Sequence, residues 1–272
     1  MPTLKLQHLL LSLLLTGILT GMPPLTAQSP LPPPTSRADL KQQQETLQAQ
    51  LERATSVEEK ISCQVRLAGL KAREDYASGI NLAREALEKA KASQQDELIA
   101  RAYFGCGNIH FRNNRTDEAL ADFKAGMAFA EKNGDPELLI NFNNMLGRIY
   151  KQWGIYEKGL EHLQQALSLL KPETGIFSYN TRMSSLHNNI ANLFYCTQNL
   201  QAAADHFLEA IRYARLGERW DMVSGNFHSL AQTYERLGEQ ERAAAAYQQA
   251  ADYSKRIKKK VISPTGKRSH GN

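Results

Sequence analysis

The chain has 272 residues, of which 42% are hydrophobic, and it carries a formal net charge of +5. That charge belongs to one end, because the segment from Lys255 to Asn272 contains seven basic residues and no acidic one, which leaves 26 basic and 28 acidic residues elsewhere. The body of the protein is therefore near neutral rather than basic, and its three cysteines cannot all pair with one another.

The N-terminus has the pattern of a secretory signal. Lys5 is followed by an apolar run from Leu9 to Leu19, and the segment ends in the small residue Ala27. We therefore expect residues 1–27 to be a signal peptide, cleaved after Ala27, and the product to be periplasmic or secreted. The run is short for a membrane span, so an uncleaved anchor is the alternative.

Four prolines make residues 28–38 an extended, disordered linker, and no later segment is apolar enough to span a bilayer. The segment from Asp39 to Ala54 then has Leu40, Leu47 and Leu51 on one helical face. This helix is predicted to cap the repeats that follow, since terminal repeats need a polar outer side.

The body of the chain repeats at a period near forty residues. Small residues recur at Gly107, Gly147, Ala191 and Ala231, at steps of 40, 44 and 40. Each is followed at fixed distances by a second small residue, a bulky residue and a third small residue, as in Gly159, Leu163 and Ala166. Self-similarity at this period is typical of a solenoid, in which stacked repeats bury one continuous core.

The third repeat shows why each unit should be a pair of helices. Its apolar residues fall at alternating spacings of three and four on two successive segments, which indicates two amphipathic helices. Asp135 is placed to cap the first helix, with Pro136 at its first position, and Trp153-Gly154 to end it. Ser56 and Glu59 form a capping box before the first repeat in the same way.

The spacing of large, small and aromatic residues resembles the tetratricopeptide repeat, over about residues 57–257. The resemblance implies an all-α fold: a right-handed α-solenoid of about five repeats within 39–257, followed by a basic disordered tail at 258–272. It departs from the usual pattern at Leu163, where an aromatic is common, and at His110, which replaces a tyrosine. The repeats are expected at 57–92, 97–132, 136–171, 177–216 and 220–257.

Tetratricopeptide proteins in general bind other proteins or peptides, so the resemblance implies a protein or peptide partner. In such a fold, positions near the small residue of each first helix line the inner groove. The residues predicted for this peptide-binding groove are Phe104, Asn108, Phe111, Arg112, Asn144, Arg148, Lys151, Asn188, Asn192, Tyr195, His228 and Gln232.

Four asparagines on one face need an explanation, because asparagine is an indifferent helix former. A carboxamide both donates and accepts hydrogen bonds, so it can hold the backbone of an extended peptide of any sequence. Arg101, Arg112, Arg148 and Lys151 would favour an acidic or carboxylate-bearing ligand. The alternative is that these residues are ordinary solvated or helix-bridging polar groups.

No phosphate-binding loop, paired-histidine motif or nucleophile elbow occurs, so neither an enzyme nor a cofactor is predicted. His187 and His228 are 41 residues apart on the first helices of adjacent repeats, a spacing that would bring them near each other, but no residue set has metal-ligand spacing, and no metal is predicted. His110 is expected in the core. The cysteines are expected to be buried thiols on first helices, with a bridge between Cys63 and Cys106 left open.

Two functions are compatible with these patterns. The first is an exported, non-enzymatic scaffold that binds an extended peptide or protein segment in its groove, without nucleic acid and with possible self-association. The second is a ligand-sensing input module, because the layout resembles the exported repeat region of some bacterial sensor kinases and regulators. The basic tail is expected to be solvated, with binding to anionic lipid or nucleic acid as the alternative.

Overall fold

The fold is all-α in a computed structural model that describes Pro34 and residues 36–172 and 176–262. The predicted signal peptide, most of the proline-rich linker and residues 263–272 lie outside this part of the chain. Eleven helices and no strand occur in the described residues, which confirms the predicted fold class. Within the same residues, no helix combines the length and the apolar character that a bilayer crossing requires.

The pattern of contacts between residues divides the protein into two compact units, residues 1–94 and 95–272. The first unit contains three helices, and its helix ends follow the sequence. Ser36 caps the first helix, and Ser56 and Glu59 form the predicted capping box of the second. Asp75 caps the third by accepting from two backbone amides. The helices are α1 (Arg37–Arg53), α2 (Val57–Lys71) and α3 (Tyr76–Ser93).

The second unit contains eight helices in four consecutive antiparallel pairs. In each pair we call the earlier helix the first helix and the later one the second helix. The pairs are α4 (Asp96–Arg112) with α5 (Thr116–Asn133), α6 (Pro136–Gln152) with α7 (Tyr156–Leu169), α8 (Ile176–Cys196) with α9 (Leu200–Leu216), and α10 (Trp220–Leu237) with α11 (Gln240–Ile262).

Helix α6 begins and ends where its sequence predicts. The Asp135 carboxylate accepts from the amides of Glu137 and Leu138, and Pro136 occupies the first turn. After Trp153, Gly154 adopts a left-handed φ of 74°, a conformation that glycine tolerates without a Cβ penalty, and the chain turns directly into α7.

Close approach between paired helices is made possible by the recurring small residues. A Cβ on Gly147 would lie 2.6 Å from Cγ of Leu163 and 3.0 Å from the carbonyl oxygen of Gly159 on α7. In the pair before it, a Cβ on Gly107 would lie 2.5 Å from the Phe123 ring. The bulky partners Phe123 and Leu163 are fully buried, so each small residue forms the recess that a large one fills.

Three sequence expectations differ from the structure. Cys196 is exposed, because it is the last residue of α8, where the chain turns away from the core. Trp153, which the spacing of apolar residues places on the buried stripe of the first helix of the third repeat, is 37% exposed at the end of α6, with its ring edge on Tyr150. Helix α11 continues to Ile262, so five residues of the segment predicted to be disordered are helical, as the high helix propensity of lysine allows.

None of the three cysteines, all of which lie in the described part of the chain, forms a disulfide bond, so Cys63 and Cys106 are not bridged. Cys63 and Cys106 are buried, as the sequence predicts. Burial raises the pKa of the Cys63 thiol, which disfavours the reactive thiolate.

The packing predicts that replacing glycine by leucine destabilises the protein much more at a helix crossing than at an open position. Gly147→Leu should lower the free energy of unfolding by about 1–3 kcal/mol, because the side chain overpacks the α6–α7 crossing. Gly225→Leu on α10 is the matched control, since a Cβ there meets no atom within 4 Å. Denaturant titration of both variants measures the difference, and equal stabilities would contradict this packing.

Candidate functional site

A polar cavity of about 450 Å³ lies between the first helices α6, α8 and α10 of the second unit. Its lining is dominated by carboxamide and hydroxyl side chains, with a single charged residue. We call it the asparagine groove, and its lining residues are Asn144, Arg148, Ser185, Asn188, Asn189, Asn192, Met222, Gly225, Asn226 and Ser229.

The carboxamides of the groove form a hydrogen-bond network that links all three helices. Asn189 on α8 donates to the side-chain oxygen of Asn144 on α6 at 2.7 Å. Asn188, on the adjacent position of α8, donates to the side-chain oxygen of Asn226 on α10. The network continues into the core, because Asn226 donates to the Ser184 hydroxyl. The groove floor is therefore held by interhelical hydrogen bonds.

The network leaves part of its hydrogen-bonding capacity unused. Asn192 donates to the Asn188 backbone oxygen at 2.7 Å and to the Asn188 side-chain oxygen at 3.2 Å. Within the described residues, neither the side-chain oxygen of Asn192 nor the side-chain nitrogen of Asn144 has a partner of its own. One acceptor and one donor are thus available to a ligand in the groove.

Arg148 supplies the positive charge of the groove. Its guanidinium lies 4.7 Å from the centre of the Phe111 ring and donates to the Met145 sulfur at 3.3 Å. Burial, with a smaller contribution from the charge of Arg112, lowers the pKa of Arg148. No acidic side chain in the described part of the chain forms an ion pair with it. A half-buried cation without a counter-ion is costly, and a bound anion would stabilise it.

Helical register explains why these groups converge. Asn144 and Arg148 are four residues apart on α6, as are Asn188 and Asn192 on α8, so each pair occupies one face on successive turns. Because neighbouring first helices pack side by side, the two faces contribute to one cavity.

The structure brings together five of the twelve predicted groove residues. Asn144, Arg148, Asn188 and Asn192 line the cavity, and Phe111 lies against the Arg148 guanidinium. The hydrogen bonds among them show that Asn144 and Asn188 bridge neighbouring helices, which is the alternative that the sequence left open.

Three of the predicted groove residues have aromatic rings that make contacts elsewhere. Phe104 packs into the core, with ring centroids 5.6 Å from Phe123 and 5.3 Å from Phe142. Tyr195 lies under the Arg236 guanidinium at 4.4 Å, and the His228 ring contacts Tyr247 on α11.

The remaining predicted residues do not line the cavity. Asn108 and Lys151 are half-buried, whereas Arg112 and Gln232 are exposed. Arg101, which the sequence offered as a further ligand-binding cation, forms an ion pair with Glu97 at 2.8 Å.

Six lining residues were missed by sequence reasoning. Four of them lie closer to the helix N-termini than the register chosen around the small residues, and Asn189 and Ser229 each lie two residues before a small residue, at a position that this register omits. The repeat period itself contains the signal, since Ser185 and Gly225, and likewise Asn189 and Ser229, are 40 residues apart. The missed residues are Ser185, Asn189, Met222, Gly225, Asn226 and Ser229.

The histidines pair differently from the sequence expectation. His187 contacts His206 on α9 rather than His228, with the two Nδ1 atoms 2.9 Å apart. His187 lies on the face of α8 that packs against α9, the second helix of the same pair. The spacing between repeats does not indicate which helix this face contacts. His110 is buried as expected. In the described residues, no group of three or more histidine, cysteine or acidic side chains is arranged to hold a metal ion.

Comparison with known proteins agrees with this architecture. Residues 140–169 and 225–256 match the family model of the tetratricopeptide repeat. Among solved structures, the chain is similar to BtubC (BKLC) from P. vanneervenii, with 21% identity, a TM-score of 0.69, and coverage of 86% of this chain and 97% of that chain. No curated protein sequence matches it significantly.

Two further solved structures share the fold. One is a signal-transduction ATPase with numerous domains and a tetratricopeptide repeat sensor from Pyrococcus horikoshii, at 18% identity and a TM-score of 0.62 over 77% of this chain and 32% of that chain. The other is a Rap protein complexed with competence and sporulation factor, at 17% identity and a TM-score of 0.55 over 82% and 59%.

Consecutive helix pairs with small residues at their crossings define the second unit as an α-solenoid. Residues 140–169 and 225–256 match the tetratricopeptide repeat, and solved structures with such repeats share the fold of this chain.

The His187–His206 contact predicts a loss of stability in acid. Burial, with the neighbouring His206 contributing, lowers the pKa of His187 to about 4, and burial also lowers the pKa of His206. The unfolded chain, with histidine pKa values near 6.5, therefore binds more protons below that pH. The stability is fully present above about pH 6.5 and declines as the pH falls toward about 4.

Unfolding titrations at several pH values measure this decline. The double variant His187→Gln/His206→Gln should show a flatter pH dependence than the wild type, whereas the exposed His228→Gln control should keep the wild-type slope. A slope unchanged in the double variant would show that the pair does not carry the effect.

Proposed function

We propose that the protein is a non-enzymatic scaffold whose asparagine groove binds an extended segment of a protein partner, with a carboxylate of that segment against Arg148. Tetratricopeptide repeat proteins bind proteins or peptides, which supports the general function. The observation that carries the specific proposal is a half-buried, unpaired guanidinium beside carboxamides with unused hydrogen-bonding capacity.

The carboxamides suit a peptide backbone. An extended segment presents amide donors and carbonyl acceptors along its length, and Asn144 and Asn192 offer one donor and one acceptor in return. Because the network holds these side chains in place, little rotamer freedom is lost when a ligand binds.

Arg148 suits an anionic side chain or a terminal carboxylate. Its position against Phe111 limits its motion, and its partial burial strengthens a charge-assisted hydrogen bond relative to one in open solvent. The exposed Arg112 adds positive charge nearby and would attract an acidic ligand.

The chemistry of the groove supports binding rather than catalysis. Arg148 is the single ionisable residue among its lining side chains, and a guanidinium does not exchange protons near neutral pH. The other lining groups are carboxamides, hydroxyls, a thioether and a glycine, so a general acid–base pair does not form within this lining.

The Rap protein complexed with competence and sporulation factor shows that a related fold holds a ligand. The likeness to the ATPase with a repeat sensor concerns the fold alone, and no feature of the asparagine groove favours a sensory function over a scaffold.

The groove predicts partner capture that depends on Asn144, Arg148 and Asn192. Residues 28–272, immobilised and exposed to cell-envelope extract, should capture a partner, and replacing the three residues by alanine should reduce that capture at least about tenfold, as loss of a hot-spot cluster does. Mass spectrometry identifies the partner, and circular dichroism checks that helical content is unchanged.

A matched control replaces three exposed residues elsewhere, Arg84, Gln201 and Gln248, by alanine. Capture that survives the groove triple would exclude the asparagine groove as the binding site. A peptide array of the captured partner, in acidic and amide versions, then tests the charge. Arg148→Gln should abolish the preference for acidic peptides, and an unchanged preference would exclude Arg148 from ligand binding.

We also propose that the protein is exported, on the support of Lys5, the apolar run from Leu9 to Leu19 and the small residue Ala27. Full-length protein with a C-terminal tag, made in a bacterium, should be recovered from the envelope with Gln28 as its first residue. Leu14→Arg should retain an uncleaved precursor in the cytoplasm, and Gln7→Arg, outside the apolar run, should not. Uncleaved wild-type protein in the membrane fraction would instead indicate an anchor.

A further inference from the structure

An aromatic stack lies between α10 and α11, the last helix pair of the second unit, and none of its residues lines the asparagine groove. The Trp220 ring stacks on Tyr253 with centroids 5.8 Å apart and planes at 9°, and Phe227 stacks on the same tyrosine at 6.0 Å and 13°. Trp220 is 36% exposed, at the start of α10. The part of the Trp220 ring that Tyr253 does not cover is therefore available for contact with a partner.

Two arginines border this stack. The Arg215 guanidinium lies 5.3 Å from the Phe227 ring and 5.7 Å from the Tyr253 ring, and Arg256 lies 5.4 Å from Tyr253. Neither arginine forms an ion pair with an acidic side chain of the described residues. Their charges therefore remain available to an anionic partner.

A cavity of about 360 Å³ adjoins the stack, between the start of α10 and the C-terminal half of α11. Trp220, Tyr253 and Ile257 form much of its apolar wall. Of its two acidic lining residues, Asp221 is bound by Arg219 at 2.8 Å, and Glu218 is exposed. The cavity therefore combines an apolar wall with two acidic and two basic residues, and the excess of positive charge lies beside it, on Arg215 and the end of α11.

Helix α11 extends this surface beyond the helix pair. It has 23 residues, whereas the other second helices of this unit have 14 to 18. Because Trp220 begins α10 and stacks on Tyr253, the residues after Ile257 run past the start of α10. The stretch from Lys255 to Lys260 contains five basic residues and one apolar residue, Ile257.

We propose that this end of the protein docks on the surface of an anionic lipid bilayer. Tryptophan and tyrosine favour the headgroup level of a membrane, and an apolar stripe with flanking lysine and arginine is the pattern of an interfacial helix. Arg215, Arg256 and the lysines of α11 would lie against lipid phosphates, while Trp220, Tyr253 and Ile257 enter the interface.

The same features disfavour two other occupants. Nucleic-acid bases stack on open aromatic faces, whereas Tyr253 is already covered by Trp220, Phe227 and the two arginines. A second copy of this chain would place two basic helix ends against each other, which like-charge repulsion opposes.

Vesicle binding tests the proposal. Residues 28–272 are mixed with vesicles of phosphatidylcholine alone, or of phosphatidylcholine with phosphatidylglycerol, and sedimented at low and high salt. We expect binding to the anionic vesicles, weakened by salt. In a Trp153→Phe background, in which Trp220 is the remaining tryptophan, its emission should shift to shorter wavelength on binding.

Variants assign the binding to this surface. Replacing Lys258, Lys259 and Lys260 by glutamine should reduce partitioning at least about tenfold, since each basic residue near an anionic surface contributes several-fold. The control replaces Lys60, Lys71 and Lys124, which are exposed and distant in sequence, and changes the net charge equally. Trp220→Ala should weaken binding and leave its salt dependence in place.

Four outcomes would overturn the proposal. They are equal binding to neutral and anionic vesicles, an equal loss in the control triple, binding to a single-stranded RNA oligonucleotide without vesicle binding, and concentration-dependent dimerisation through this end without vesicle binding. None of them bears on the asparagine groove, so the proposed scaffold function is tested separately.

Discussion

The close crossing of paired helices is the constraint on which the rest of the second unit depends. At Gly147 the backbone of α7 comes so near that no side chain fits, and Leu163 occupies the space that glycine leaves. The same pairing of a small residue with a large one recurs at Gly107 and Phe123. The two helices of each pair are therefore held at a fixed, short separation. Neighbouring first helices lie side by side, and the asparagine groove forms between them.

Local signals in the sequence were sufficient for the helix pairs, because caps, small residues and apolar spacing act within one hairpin. Asp135, Pro136 and the Ser56–Glu59 capping box are observed as predicted. The groove was predicted in part, since placing Asn189 and Asn226 requires the rotation of each first helix relative to its neighbours. The repeat period fixes which positions are equivalent, but tertiary packing decides which of them face the cavity.

Contacts between helices also explain the misplaced histidine and aromatic residues. The sequence suggests an approach of His187 to His228 on the next first helix, but His187 contacts His206 on its own hairpin partner instead. Phe104 was assigned to the groove by alignment, yet the neighbouring rings of Phe123 and Phe142 draw it into the core. An alignment of repeats shows which positions are equivalent, but it does not show which residue of a neighbouring helix each position contacts.

The carboxamide network of the groove has a consequence for the orientation of a bound chain. A carboxamide turned by half a revolution exchanges its donor for its acceptor without changing shape. Asn144 and Asn189 exchange a single hydrogen bond, and it is preserved if both turn together. This pair therefore has no built-in polarity, whereas Asn192 is fixed because it donates to the Asn188 backbone oxygen, which can only accept. Arg148, held against Phe111, is a second fixed element, and the two together would distinguish one direction of a bound chain from the other.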